Sequence, residues 1–363
     1  MKFLKILSKL LGTLILLCLI YVLGNIIYGT ITDYVPEEIT ELNALNSSPL
    51  PIIEDSILTF MTWNIGYGGL GEESDFFYSD GSVLFSGNRM IRPSQSIVKK
   101  NVAGAQKVIK DNPADFYLIQ EIDEKAKRSY RINQIEGIQN QLPNYASFFA
   151  INYKVAHVPT PICEPWDAYG HVISGLGTFS RHQPTQSTRI QLPGKFGWPN
   201  RLYLLDRCTA LHRYALKNGK ELVIFNIHNS AYDKDGSIKK IQMEYQKKML
   251  LEEYQKGNYV IAGGDWNQCP PEFAPDTFRK GMIKNMKNYN VASDFISSDW
   301  QWVFDPSVPT IRSTSTPYIA NKTFVGLIDY FLVSPNIKVL ETKGIDLDFK
   351  FSDHQPVMMK IQI

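Results

Sequence analysis

The feature that most constrains this chain is an uncharged apolar segment close to its N-terminus. Leu10–Tyr28 is a run of 19 residues without a charged side chain, most of them Leu or Ile. A helix of roughly 20 apolar residues is long enough to cross the hydrocarbon core of a bilayer. We therefore expect a transmembrane anchor or signal over residues 1–29, a linker over 30–55, and one large domain over 56–363.

Positive charges flank this segment on one side. Lys2, Lys5 and Lys9 precede it, and the next basic residue is Arg89. Because basic flanks tend to stay in the cytoplasm, we expect a single-pass membrane protein whose large domain is extracytoplasmic. The alternative is a secreted domain released by signal cleavage, since residues 22–24 form an imperfect cleavage site.

The charge and cysteine content limit the classes of function. Lys and Arg together number 38 and Asp and Glu number 36, giving a net charge of +2. A protein that binds nucleic acid through bulk charge needs a larger basic excess. Four cysteines are too few for a disulfide scaffold, and their spacing fits no zinc motif. Cys163 and Cys208 could pair in an oxidising compartment, or both could remain free.

Apolar periodicity predicts alternating strands and helices in the large domain, hence an α+β or layered α/β fold. Helices are expected over residues 96–110, 124–141 and 238–254. Strands are expected over residues 57–63, 116–120, 202–216, 221–227, 259–262, 324–333 and 356–363. The segments 66–95, 152–172 and 268–322 have no clear period and are expected to be long loops, which often carry specificity.

Polar side chains stand at the ends of several of these apolar strands. They are Asn64, Glu121, His228, Asp265, Asn267, Asp329, Asp353 and His354. Oxygen ligands of this kind suit a hard cation such as Mg²⁺, and histidines with a nearby acid suit acid–base chemistry. One such residue is usually part of a turn, but so many in one chain are better explained by a site.

The order of these strand ends resembles the endonuclease/exonuclease/phosphatase superfamily, which includes DNase I-like nucleases, inositol polyphosphate 5-phosphatases and neutral sphingomyelinases. The resemblance covers about residues 57–362. It rests on Trp63-Asn64, Gln120-Glu121, Asn226-Ile227-His228, Gly264-Asp265-Trp266-Asn267, Ile328-Asp329-Tyr330 and Ser352-Asp353-His354. It implies a four-layer α/β/β/α sandwich of two packed mixed sheets, with the site at one edge.

The resemblance also implies a metal site. Asn64, Glu121 and Asp353 match the positions around the metal, which would be Mg²⁺ or Mn²⁺, and Glu121 would be the most direct ligand. Some nuclease members carry an acid two residues after the first Asn, where this chain has Gly66.

The remaining matched residues are implied to handle the phosphate. Asp265 would orient or deprotonate the attacking water, and Asn267 would hold a phosphate oxygen. His228 would stabilise the pentacoordinate phosphorus. His354, paired with Asp329, would contact the phosphate or act as an acid or base. The chain is thus expected to be a Mg²⁺-dependent phosphodiesterase, and a catalytically inactive binding module is disfavoured by the complete set.

The substrate stays open at this level. A phospholipid or sphingomyelin-like phosphodiester at a membrane is favoured by the apolar segment, by the near-neutral domain and by loop aromatic residues (Phe76, Phe77, Tyr78, Trp166 and Trp198), because aromatic side chains favour membrane interfaces. The alternatives are an exported nuclease, with a local patch of Arg89, Arg92, Arg128 and Arg131, and an inositol-phosphate phosphatase. No protein partner is inferred.

Overall fold

The computed structural model describes residues 2–79, 82–231, 236–274, 278 and 290–363. Part of the predicted loop 268–322 therefore lies outside the described residues. The helices are α1 (Lys2–Ile31), α2 (Gln95–Asp111), α3 (Gln134–Gln139) and α4 (Ser237–Gln255). The strands are β1 (Ile39–Glu41), β2 (Ile57–Asn64), β3 (Phe116–Asp123), β4 (Ala146–Val158), β5 (Gly170–Ser180), β6 (Gln186–Gln191), β7 (Cys208–Ala215), β8 (Glu221–His228), β9 (Tyr259–Asp265), β10 (Gln301–Val303), β11 (Ile311–Arg312), β12 (Val325–Gly326), β13 (Asp329–Val333), β14 (Lys338–Gly344) and β15 (Val357–Gln362).

The strands form two large mixed sheets. Sheet 1 has seven strands in the order β1-β6-β7-β8-β9-β13-β10, and sheet 2 has six in the order β14-β15-β2-β3-β5-β4. Strands β11 and β12 form a separate pair. Strands β7 and β8 form a hairpin, since they pair antiparallel across the turn at residues 216–220.

Hydrophobic side chains fill three layers of contact. One core lies between the sheets and joins Phe60 and Leu118 of sheet 2 to Ile224 and Phe331 of sheet 1. A second core packs α4 against sheet 1, and a third packs α2 and α3 against sheet 2. The predicted four-layer α/β/β/α sandwich is therefore confirmed.

The helices at sheet 2 show where periodicity is reliable. The expected helix over 96–110 is α2, which begins where the Ser94 hydroxyl accepts a hydrogen bond from the Ile97 amide at 3.4 Å. The expected helix over 124–141 is wrong for its first part, because α3 begins only at Gln134. Tyr130 and Arg131 adopt φ angles of 55° and 57°, which are incompatible with a right-handed helix.

Helix α1 is long and apolar enough to cross a membrane. A signal sequence has the same properties. The chain after α1 lies along the domain, because Ile39 pairs with Ile190 of β6 and Ile53 is buried beside Leu216. The boundary at residue 56 stays a prediction. Cys163 is exposed and Cys208 is buried, and both are free thiols.

Strand direction brings the predicted site residues to one edge. Strands β2 and β3 are parallel and pair Asn64 with Gln120, while β8 and β9 are parallel and pair His228 with Asp265. Because the carboxyl ends of parallel strands share an edge, their polar endings meet. The Gln120 amide donates a hydrogen bond to the Asn226 side-chain oxygen at 2.8 Å, joining the two sheets beneath that edge.

Candidate active site

The carboxylate of Asp265 lies at the centre of the predicted site residues. It ends β9 and is 1 % exposed. Its Oδ2 accepts a hydrogen bond from Asn64 Nδ2 at 3.1 Å. The same oxygen is 3.4 Å from His228 Nε2 and 3.9 Å from His354 Nε2. One oxygen atom is thus within reach of an amide and two imidazoles that come from both sheets.

The orientation of Asp265 is set by the turn that follows it. The Asn267 backbone N–H donates to Asp265 Oδ1 at 2.9 Å. Asn267 has a φ of 53°, a conformation that asparagine tolerates better than most residues. Its side-chain amide donates to the Asn229 carbonyl at 2.9 Å. Asn267 therefore belongs to this edge of the site, with its amide N–H engaged by the backbone.

His354 is paired with the buried carboxylate of Asp329. His354 Nδ1 and Asp329 Oδ2 are 2.8 Å apart. Although burial opposes the charged imidazole, the negative charge of Asp329 raises the pKa of His354 above its usual range. The Ser352 hydroxyl accepts the His354 backbone N–H at 3.1 Å, and Trp63 Nε1 donates to the His354 carbonyl at 2.9 Å. His354 is therefore held as a cationic donor whose Nε2 faces Asp265.

His228 differs from His354 in its protonation. Burial, followed by the positive charges of Arg207 and His354, lowers the pKa of His228 well below its usual value. His228 Nδ1 is buried and makes no hydrogen bond within the described residues. The site therefore contains one neutral and one cationic imidazole, and the two can act differently on a phosphate.

Asn64, Glu121 and Asp353 form an oxygen-rich group beside Asp265. Asn64 Nδ2 is 3.3 Å from Glu121 Oε1. Burial raises the pKa of Glu121, and the nearby charge of Asp353 raises it further. Burial also raises the pKa of Asp353. The two carboxylates disfavour each other's negative charge because they are close together in a buried place. All three residues offer oxygen donors, so a hard divalent cation would compensate that charge.

The glycine that replaces the acid of some nuclease members has a structural reason. Gly66 has a φ of +49°, and a Cβ atom there would lie 2.8 Å from Asp353 Oδ1. Its backbone N–H donates to Asn64 Oδ1 at 3.0 Å. Any side chain at residue 66 would therefore push against Asp353, one of the three predicted metal residues.

A second set of possible metal ligands overlaps the first. Asp265, Asp329 and His354 offer ligand atoms that lie within 4.8 Å of one another. The hydrogen bond between His354 and Asp329 already engages two of them. The group of Asn64, Glu121 and Asp353 stays the predicted metal site.

Arg128, one of four arginines considered for a nucleic-acid patch, is instead buried behind the site. Its guanidinium forms an ion pair with Asp123 at 2.8 Å and donates to Tyr169 Oη at 2.8 Å. It also stacks 3.8 Å from the centre of the Tyr67 ring. Burial raises the pKa of Glu121 overall, and the charge of Arg128 opposes that rise, so Arg128 supports the site from within.

Arg312 fixes the loop that follows Asn64, a role that sequence reasoning missed. Its guanidinium donates to the carbonyls of Leu70, Gly71 and Ser74 at 3.0, 2.6 and 2.9 Å. Its backbone N–H donates to the Asp353 carbonyl at 2.9 Å. Partners this far apart in sequence leave no local pattern. Arg207 is also buried, and it lies close enough for its charge to act on Glu121 and His228.

Comparisons with known proteins agree with this geometry. A sequence profile described as the Endonuclease/Exonuclease/phosphatase family matches residues 61–354. The chain belongs to that family. Its members are hydrolases of phosphoester bonds that typically depend on a divalent metal, so the family and the broad reaction predicted from the sequence are confirmed. A comparison with curated proteins found no match.

Solved structures of the endonuclease/exonuclease/phosphatase family share the fold. A member from Beutenbergia cavernae superposes with a TM-score of 0.58 and 16 % identity, covering 85 % of this chain and 72 % of that chain. One from Bacteroides vulgatus has a TM-score of 0.52 and 15 % identity, covering 85 % and 100 %. ANGEL2, a 2',3'-cyclic phosphatase, has a TM-score of 0.51 and 15 % identity, covering 89 % and 98 %. Likeness at this level concerns the fold and leaves the substrate open.

Proposed function

We propose that the protein hydrolyses a phosphodiester with the help of a divalent cation, Mg²⁺ or Mn²⁺, held by Asn64, Glu121 and Asp353. The proposal is supported by the oxygen donors of these residues and by the raised pKa of both carboxylates. A cation of this kind neutralises charge that builds up on the phosphate and on the leaving oxygen.

Asp265 prepares the attacking water in this proposal. The observation that carries the assignment is the position of its Oδ2, between 3.1 and 3.9 Å from Asn64, His228 and His354. A carboxylate in such a place can accept a proton from water while neighbouring donors hold the phosphate.

The two histidines divide the work on the phosphate. His354, cationic because of Asp329, donates to a phosphate oxygen or protonates the leaving group. His228, neutral, donates from Nε2 to a developing oxyanion without bringing a second charge. Asn267 holds a phosphate oxygen only after its amide leaves the Asn229 carbonyl, so we expect it to contribute less than either histidine.

The substrate class that we propose is a phospholipid or sphingomyelin-like diester at a membrane. Trp166 and Trp198 are 77 % and 59 % exposed, which suits contact with an interface. Phe76, Phe77 and Tyr78 belong instead to a packed cluster with Tyr169. A nuclease is less well supported, because Arg128 is buried in an ion pair and cannot join a surface patch.

We also propose that α1 stays attached as a single-pass anchor and that the domain is extracytoplasmic. Protease added to intact spheroplasts should then digest the domain. Full protection would contradict this orientation, and a purified mature chain that starts near residue 25 would replace the anchor with a cleaved signal.

The decisive experiment is a substrate panel with full-length protein in detergent and in vesicles. Sphingomyelin, a glycerophospholipid, plasmid DNA and an inositol phosphate would be tested in parallel with Mg²⁺, with EDTA, and after metal is restored. Asp265→Asn serves as the inactive variant. Asp299→Asn is its matched control, because Asp299 is an exposed aspartate away from the site.

We expect turnover of a lipid diester that disappears with EDTA and in Asp265→Asn but persists in Asp299→Asn. Preferential cleavage of DNA or release of inorganic phosphate from the inositol phosphate would replace the lipid proposal. Full activity in EDTA would contradict the metal, and full activity of Asp265→Asn would contradict the site itself.

A further inference from the structure

A group of exposed apolar side chains lies on two chain segments that are joined by their backbones. The Ile162 and Cys163 N–H groups donate to the Val83 and Leu84 carbonyls at 2.9 and 3.0 Å. The exposed fractions of Val83, Leu84, Phe85 and Trp166 are 37 %, 51 %, 57 % and 77 %. We call residues 83–85 and 162–166 the apolar lip.

Two acidic side chains at the apolar lip, Glu164 and Asp167, have polar partners. Glu164 Oε1 accepts the Ser86 backbone N–H at 3.1 Å. Asp167, next to Trp166, lies 3.7 Å from Arg92. These contacts lower the cost of bringing the segment into a less polar medium.

The domain contacts one face of α1 over two turns. Gly29 is buried, and Tyr21 and Asn25 are partly buried, whereas most of the helix is exposed. Tyr203 Oη donates to the Asn25 carbonyl at 2.9 Å. Helix α1 also packs against β4, whose last residue, Val158, precedes the second segment of the apolar lip by four residues. The part of the domain that borders the apolar lip therefore packs against the helix between Tyr21 and Gly29, before the helix ends at Ile31.

The position of this contact along α1 has a consequence if α1 crosses a membrane. When Leu10–Tyr28 fills the hydrocarbon core, Tyr21 lies seven residues inside its outer boundary, which is about 10 Å at the rise of an α-helix. Moving the helix outward until Tyr21 reached the boundary would draw Lys5 and Lys9 into the core, which is unfavourable. Whatever part of the domain stands beside Tyr21 must therefore enter the outer part of the bilayer.

We propose that the apolar lip inserts into the outer leaflet beside α1, so that the domain is seated in its own membrane at a second place. The occupant of this surface is lipid, because the exposed apolar side chains adjoin the helix that spans the bilayer. This inference rests on the proposed anchor, but it does not depend on which phosphodiester is cleaved.

The test is the depth of a nitroxide attached to the apolar lip. Phe85→Cys and Trp166→Cys are each made in full-length protein that also carries Cys18→Ser and Cys163→Ser, which removes the exposed native thiols. Leu340→Cys is the matched control, because Leu340 is 40 % exposed on β14, at the opposite edge of sheet 2 from β4. The protein is reconstituted in phosphatidylcholine vesicles, and collision with oxygen and with a water-soluble nickel complex is measured.

We expect the oxygen-to-nickel accessibility ratio to be several-fold higher at residues 85 and 166 than at residue 340. Equal ratios at all three positions would overturn the proposal. So would a joint loss of oxygen and nickel access at the lip, since that indicates burial against protein. A second measurement separates this from the proposed function. Asp265→Asn in the same background should abolish hydrolysis and leave the ratios unchanged, so each idea can fail alone.

Discussion

Two buried groups of charged side chains lie at opposite ends of sheet 1, and they differ in how their charges are balanced. At the end where β8 begins, Glu253 of α4 binds Arg213 at 2.6 Å and Lys256 at 2.7 Å. Asn258 donates to the same carboxylate at 3.1 Å. Although burial opposes the charge, these partners lower the pKa of Glu253 to about 2.

At the end where β8 finishes, acids collect, and the cations near them do not offset the effect of burial. Burial raises the pKa of Glu121 and of Asp353, and Asp265 stands between them and His354. The same residue types are thus stabilised as charged groups at one end and destabilised at the other. A fold retains such uncompensated charge where a ligand will compensate it, which is why perturbed carboxylates indicate a functional site.

The largest expected effect is on the chemical step. Asp265→Asn and His354→Ala should each reduce turnover by roughly 10²–10⁴-fold, the usual contribution of acid–base catalysis. Asp265→Asn should hardly lower the unfolding midpoint, because it removes one of several clustered acids. His354→Ala should lower it, because it leaves the buried Asp329 carboxylate without its partner, so the rates are compared at a temperature at which both variants are folded. Single-turnover rates with bound substrate would measure this. Near-normal rates for Asp265→Asn would mean that the acids at the end where β8 finishes are not part of a catalytic site.

The next effect concerns the metal. Glu121→Gln keeps the shape of the side chain but removes its charge, so the Mg²⁺ concentration for half-maximal activity should rise by at least about 10-fold. Glu124→Gln, three residues along the chain, is the matched control. A titration of activity against free Mg²⁺ would measure this concentration. An unchanged midpoint would mean that the metal is bound by another set of ligands.

A smaller effect is expected from the acid behind the histidine. Asp329→Asn should cost less turnover than His354→Ala, because it alters the charge and tautomer of the imidazole and leaves the ring in place. The double variant should be little worse than His354→Ala alone, since the acid acts through the histidine. Additive losses in kcat would mean that Asp329 has a separate task, such as binding the metal.

The smallest effect on turnover should come from a change at the end of sheet 1 where Glu253 is paired with basic residues. Glu253→Gln should leave kcat within about two-fold, because it lies away from the reacting groups, while costing roughly 1–3 kcal/mol of unfolding free energy through the weakened pairing of Arg213, which keeps Glu221 as a partner. Because the folded-state pKa of Glu253 is depressed from 4.5 to about 2, its contribution is complete above pH 4.5 and is lost as the pH falls toward about 2.

Denaturation of full-length protein in detergent, at neutral pH and again at a pH of about 3, checks this. The difference between wild type and Glu253→Gln should shrink at the lower pH. Glu252→Gln is the control, because Glu252 makes an exposed pair with Lys248. A large loss of turnover in Glu253→Gln would show that the two ends of the sheet are coupled.

The sequence alone predicted which residues meet at the edge of the two sheets, but it did not predict the residues that hold them in place. Asn64, Glu121, His228 and Asp265 could be predicted because each directly follows an apolar strand, and strand direction then brings the four together. The Ser352 hydroxyl donates a hydrogen bond to the Asn64 carbonyl at 2.8 Å and so joins two residues that are 288 positions apart. A contact over that distance in sequence cannot be predicted from local periodicity.

Tertiary contacts also overrode a local pattern. Residues 124–133 have a helix-like composition, but the buried pair of Arg128 with Asp123 and the Ser129 hydroxyl bonded to the same carboxylate at 2.7 Å hold them in turns. A buried ion pair of this kind outweighs the small differences in helix propensity between ordinary residues. For the same reason an arginine that looked available to a ligand belongs to the interior.

The connection between α1 and β1 limits where the enzyme can work. Only residues 32–38 separate the two elements, and Asp33 is held by Arg201 at 3.3 Å. A connection of seven residues reaches at most about 25 Å even when fully extended, so, with α1 kept in a bilayer as proposed, the domain stays close to that bilayer. Its rate should then follow the surface density of substrate in that bilayer rather than the bulk concentration, because both partners are confined to two dimensions. Diluting the vesicles would leave turnover constant, whereas diluting the substrate lipid within them would lower it.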